Sequence, residues 1–199
     1  MAGRKQFDVD EALRLAMHVF WRWGWSEASI DRLTEGTGLG RSSLYSTFGD
    51  KSTLFQKSLL RYAQSYHPLY EEALTGPHSD PSAVITAYLR VTLNRIADPT
   101  VPDGCLLTMS AAQFPALDAA GQATVRTMID TLRAMLEQAL LAAGADENEA
   151  AELALCTLAT NKSLAVLSRV GFSSDDLETV AATASRVRRS DHGVRPGDG

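Results

Sequence analysis

Apolar residues recur at three- and four-residue spacing along almost the whole chain, the period at which one stripe of an α-helix faces a core. Leu13, Ala16, Met17 and Phe20 form such a stripe over residues 8–23, and Gly24 predicts its end. Ile30 and Leu33 mark a short second helix behind Ser29, whose hydroxyl suits it to capping the free amides there. Gly36 and Gly38 stop that helix. Residues 41–48 then place Leu44 and Phe48 four apart for the core, while Arg41, Ser42, Ser43, Tyr45, Ser46 and Thr47 fall largely on the other side. Asp50 caps a fourth helix, carrying Leu54, Phe55, Leu59 and Tyr62 towards Pro68. Beyond Gly76, Pro77 and Pro81, residues 82–97, 105–113, 117–143, 148–170 and 175–189 read as five further helices. Alternating runs long enough for a strand are absent, so the predicted fold class is all-α, with about nine helices.

Two short helices joined by a glycine-bearing turn, the second polar on its outer face, are the layout of a helix-turn-helix. The residues around it narrow the reading. Ala12-Leu13, Ala16, Phe20, Gly24-Trp25, Ser29-Ile30, Leu33, Gly38-Leu39, Ser43-Leu44-Tyr45, Phe48, Lys51 and Leu54-Phe55 follow one another without gap or insertion, over about a quarter of the chain. In this pattern the chain resembles the TetR family of transcriptional regulators. It departs from the family at Thr34 and Thr37, where alanines are usual, and at Gly40, where the recognition helix usually has a polar cap. The resemblance implies a DNA-binding domain over residues 1–50, a connecting helix over about 50–67 and a ligand-binding and dimerisation domain over 68–189. Residues 190–199, glycine-rich and polar, read as a disordered tail.

Charge sharpens this picture only slightly. The net charge is −5, and residues 1–60 hold eight Lys/Arg against seven Asp/Glu, while residues 61–199 hold eleven against seventeen. The first part is therefore the less acidic one without being a basic patch, and duplex binding must come from a few placed cations. Residues 1–13 contain no apolar core of a signal segment, and a cytoplasmic protein with no membrane contact is expected. Cys105 and Cys156 lie far apart without metal-type spacing, and His18, His67, His78 and His192 are scattered, so neither a disulfide framework nor a metal site is predicted. GTGLG falls short of a dinucleotide loop, no strand precedes it, and no nucleophile elbow is present. An enzyme is not expected, nor a cofactor.

By the resemblance, the helix over residues 41–47 enters the major groove. Arg41 is the strongest candidate for a guanine edge or a phosphate, Ser42, Ser43 and Ser46 allow close approach, and Tyr45, Thr47, Lys51 and Ser29 are backbone-contact candidates. A homodimer on a palindromic double-stranded operator follows, because one half-site carries too little specificity. Leu155, Leu158, Ala159 and Val166, with Leu177, Val180 and Ala184, are the interface candidates, and Ala151 and Ala165 are small enough for close helix approach. The family implies a small-molecule effector cavity, for which Tyr62, Tyr66, Tyr70, Tyr88, Met109, Phe114, Met128 and Leu132 are candidates, with Thr108, Gln113 and Asn161 as polar groups. Cys105, after Gly104 at a helix start, is a candidate redox or electrophile sensor, with Lys162 a possible neighbour, whereas Cys156 reads as core. The expected function is a regulator, a repressor by the commoner family mode, released by a small molecule or an electrophile; the alternative is a helical ligand-binding protein without DNA binding.

Overall fold

Asp8 opens the first helix: its carboxylate accepts the amides of Asp10 and Glu11 at 2.9 and 3.2 Å, ahead of α1 (Val9–Glu27). The computed structural model describes residues 7–186, and every regular element among them is helical. The expected tail 190–199 lies outside these residues. The sequence predicts an end of α1 at Gly24, but the helix resumes for one turn beyond a kink at that glycine, which takes φ 72° and ψ 179°. An L side chain is strained there, so a breaker acts as a hinge within one helix. α2 (Ile30–Thr37) starts under the Ser29 hydroxyl, which accepts the Arg32 amide, and ends at Gly38 in the left-handed conformation. α3 (Arg41–Phe48) follows after a three-residue turn.

Helices of eight residues are marginal on their own, so packing must hold α2 and α3. Leu33, Leu44 and Phe48 supply it, all buried. Burying each such side chain stabilises by about 1.5–3 kcal/mol, against roughly 1 kcal/mol for a cap. Gly36 lets α2 lie directly on α1, since a Cβ there would meet Val19 Cγ2 at 2.4 Å.

α4 (Lys51–Thr75) does not stop before Pro68 as expected; it runs through it. A proline inside a helix removes one backbone bond. Tyr70 and Leu74, buried two and six residues later, keep the far end packed. The helix packs on α1 and also on α5 and α7. α5 (Pro81–Ile96), α6 (Leu106–Ala112), α7 (Ala119–Ala142), α8 (Glu147–Arg169) and α9 (Ser174–Ala184) complete the chain, with a 3-10 turn over Phe114–Ala116. That turn displaces the start of α7 from residue 117 to 119, where Asp118 caps it by accepting the Gly121 amide at 2.7 Å. Cys156 is exposed, contrary to its reading as core, because the inner stripe of α8 runs through Ala154, Thr157, Leu158, Asn161, Leu164 and Ala165.

Candidate nucleic-acid interface and regulatory cavity

Leu44 and Phe48 turn α3 so that Arg41, Ser42, Tyr45 and Ser46 are exposed along one strip, Tyr45 by 42%. Arg41 Nη2 lies 3.3 Å from Asp31 of α2, with both side chains largely in solvent. Such a pair is worth little and yields readily to a phosphate or a base edge. No side chain caps α3, because Gly40 has none to offer, and its first amides are left to solvent or to an anion. Ser29, also exposed, holds its own helix start.

Three candidates sit differently. Ser43 and Thr47 are half-buried, and Thr47 Oγ1 is enclosed without a hydrogen-bond partner, so neither is as open as the outer strip. Lys51 donates to the Trp25 carbonyl at 2.7 Å with its ammonium 4.5 Å from the Trp25 ring centroid. Burial lowers its pKa, and the nearby Glu27 charge opposes that shift. This cation ties α4 to the end of α1, a role that spacing alone does not suggest.

In the second half, a cavity of about 120 Å³ is lined by Tyr62, Tyr66, Tyr70, Leu107, Met128 and Leu132 with parts of α7. A wider groove of about 590 Å³ between the ends of α4 and α7 opens to solvent and has His67, Glu71 and Gln138 on its walls. Among the expected pocket residues, Met109 and Phe114 do not line the smaller cavity. Tyr88 and Asn161 are buried beside it: Tyr70 and Thr92 share a hydroxyl bond of 2.9 Å, and Asn161 Nδ2 donates to Tyr70 at 3.2 Å and also to Thr92. Gln113, expected at the pocket, instead accepts the Ser26 amide at 3.0 Å and packs on the Gly24 kink. Together with Arg169, which donates to the Trp21 and Arg22 carbonyls, it clamps α1 to the second half.

Cys105 stands at the N-cap position of α6 without a side-chain capping bond and is buried, its sulfur 3.1 Å from the Tyr62 hydroxyl. Burial alone would push this thiol up; the charges of Arg95 and Lys162 and the Tyr62 hydrogen bond outweigh it and bring the pKa down to about 6. Burial holds Tyr62 well above the ordinary phenol range, so its hydroxyl remains a donor to the thiolate. In a Cys156→Ser background, thiolate absorbance should therefore rise with a midpoint of about 6, and Arg95→Gln should move the midpoint up towards the unperturbed value of about 8.5. A wild-type midpoint already there would remove the cationic influence. Arg95 itself escaped the sequence reading, although it lies seven residues after Tyr88 on the apolar face of α5, where a charged residue is unusual.

The interface candidates divide in the same way. Leu155, Ala159 and Val166 are exposed, Val180 and Ala184 half-buried, and Leu158 and Leu177 are spent inside the chain.

Residues 81–183 match the family model described as "Transcriptional regulator LmrA/YxaF-like, C-terminal domain" of the TetR group. The chain belongs to the TetR family. Two curated relatives are similar: the HTH-type transcriptional repressor ComR of Escherichia coli, 31% identical over 103 residues, and the HTH-type transcriptional regulator YezE of Bacillus subtilis, 29% over 113 residues. These matches take in 52% and 57% of this chain; it spans only about half the length of those relatives, 49% and 58%. A solved TetR-family structure, a cysteine mutant of CifR complexed with 26 bp double-strand operator DNA, is 25% identical with a TM-score of 0.80, covering 92% of this chain and 98% of that one. The reduced form of NemR from E. coli shares the TetR fold at a TM-score of 0.73 and 20% identity, over 88% and 94% of the two chains.

Proposed function

We propose that this TetR-family protein is a cytoplasmic, homodimeric repressor that binds a palindromic operator through α3 and is released by a small molecule or reactive electrophile acting at the tyrosine-lined cavity or Cys105. The observation that carries the reading is the exposed strip of Arg41, Ser42, Tyr45 and Ser46 on a helix anchored by Leu44 and Phe48. A guanidinium with only a weak exposed partner, flanked by short hydroxyls, suits a groove edge. The domain division at about residue 50, with α4 as connector, accords with the contacts of α4 on both sides. Two copies of α3 spaced by about 34 Å, one DNA turn, would meet two half-sites. Release needs only an effector that favours a conformer in which that spacing is wrong.

The test is fluorescence anisotropy on DNA from upstream of the protein's own gene, over a series of salt concentrations. Arg41→Ala should weaken binding by about tenfold or more and lower the salt slope by about one if the contact is a phosphate, or relax specificity at one base pair if it is a guanine. Wild-type protein that binds this DNA no better than a scrambled duplex at every salt concentration would leave a helical ligand-binding protein as the surviving reading.

A further inference from the structure

Arg95 is the one charged side chain in the fully buried class among the described residues, with 5% exposure. Thr92 and Tyr88 precede it by one and two turns, so α5 sends three polar groups into the core from one face. Its Nη1 donates to the Gly104 carbonyl. Nε and Nη2 have no hydrogen-bond partner. These two nitrogens form one edge of the guanidinium, and their parallel N–H bonds match the two oxygens of a carboxylate. Two neighbouring aromatic rings lie beside the group, with Trp21 at 5.6 Å and Tyr66 at 5.9 Å from its carbon, and the buried Tyr88 hydroxyl is likewise without a partner.

The charges around it do not balance. Arg95 and Lys162 each bear on the same thiol and on one another. Neither has a carboxylate within ion-pair distance among the described residues; Asp98, three residues beyond Arg95, spends Oδ1 on the Thr100 amide and hydroxyl at 2.8 and 2.6 Å. Burial lowers the Lys162 pKa, so the permanent charge of the centre is the guanidinium, whose Nε/Nη2 edge is left without a hydrogen-bond partner. An uncompensated buried charge is costly, and an anion that completes it gains correspondingly. Tyr66 joins this centre to the 120 Å³ cavity, since it lines the cavity and also faces Arg95.

We propose that Arg95 is an anion subsite of this cavity, and that the ligand it takes is a small monocarboxylic acid whose carboxylate lies on the Nε/Nη2 edge and whose apolar body lies against Tyr62, Tyr66, Leu107 and Met128. The cavity's volume is roughly four water molecules' share of the liquid, so the body is short. As an effector this acid depends on the regulatory reading above; as a ligand it does not.

Calorimetric titration of the full-length protein with butyrate, hexanoate and benzoate, each paired with its uncharged amide, tests the proposal. At least one acid should bind about tenfold or more tighter than its amide. Arg95→Gln should remove that preference; Arg95→Lys, which keeps the charge and loses the fork, should recover only part of it, and Tyr88→Phe should keep the preference with a weaker affinity. Circular dichroism separates a binding defect from misfolding, and if Arg95→Gln fails to fold, the Lys and Phe variants decide. Absence of binding by all three acids, amides that bind as tightly as their acids, or an undiminished preference in the folded Arg95 variants would overturn the subsite. Operator binding measured on the same preparations keeps the two readings apart: DNA binding without acid binding sinks only this proposal, and acid binding without DNA binding sinks only the regulator.

Discussion

Val166→Asp is expected to turn the protein into a monomer and to lower operator affinity by about 100-fold or more while leaving the protomer folded. Leu155, Ala159, Val166 and Val170 lie four, seven and four residues apart, which keeps them on one face of α8, and Phe172 follows in the turn to α9. Leu155 is 49% exposed, Val166 50%, Val170 67% and Phe172 50%, so large apolar side chains gather in solvent along the outer side of α8 and its end, a feature that marks interaction surfaces. In a two-fold dimer the introduced carboxylate enters the interface twice, and each copy is desolvated without a cation opposite. Losing the second half-site then takes away most of the discrimination between specific and non-specific DNA, typically about 10³-fold or more. Because Val166 is half exposed in the protomer, the substitution should change protomer stability by only about 0.5 kcal/mol. Light scattering after gel filtration, with anisotropy on the operator, checks both parts. A Val166→Asp protein that stays dimeric with full affinity places the interface elsewhere. The same double use of α8 explains why a core helix of mean hydropathy 1.2 has the length and composition of a membrane span: one face is buried in the chain and the opposite face is apolar as well.

Which features could be read from the sequence follows from how local their causes are. α2 and α3 were legible because a cap, a glycine stop and a four-residue apolar spacing all act within one or two turns. Gly24 and Pro68 misled because each breaks a helix by local rules, whereas Trp25, stacked on Phe20 and tilted against Phe55, and Tyr70 and Leu74, packed in the core, hold the chain helical beyond them. Lys51 was legible as a cation at a helix start and illegible as a donor to Trp25, since that contact spans 26 residues. Cys156 shows the limit of composition: an apolar residue on an apolar helix has two faces to choose between, and only the neighbours α5, α7 and α9 decide which is inside. Around the tyrosine-lined cavity the tyrosines and Cys105 were visible as residue types, whereas Arg95, whose charge bears on Cys105, was passed over although its place on the apolar face of α5 was there to be read.

Gly24→Ala should cost about 3 kcal/mol, a fall in Tm of roughly 6–12 °C for a chain of this size. Two causes act together. At φ 72° and ψ 179° the backbone occupies a region that is nearly glycine-only, worth about 1–3 kcal/mol of strain. A Cβ would also stand 2.6–2.9 Å from the Gln113 carboxamide, the group that bonds Ser26 and anchors α1 to the second half. The two are separable by experiment. Gln113→Ala alone loses one hydrogen bond, about 0.5–1.5 kcal/mol; added to Gly24→Ala it should restore the part due to overlap and none of the part due to strain, a non-additivity that calorimetry of the four proteins measures. Strict additivity would mean that the carboxamide moves aside freely and that the backbone alone resists the methyl group. The kink also turns the Trp25 carbonyl towards Lys51 and seats the Trp25 ring against Phe55 at 5.1 Å, so straightening α1 should disturb the start of α4 before it disturbs α3. Operator affinity in Gly24→Ala, measured well below its Tm, should therefore fall even where the protein is fully folded, because the helix linking the two halves has lost its seat.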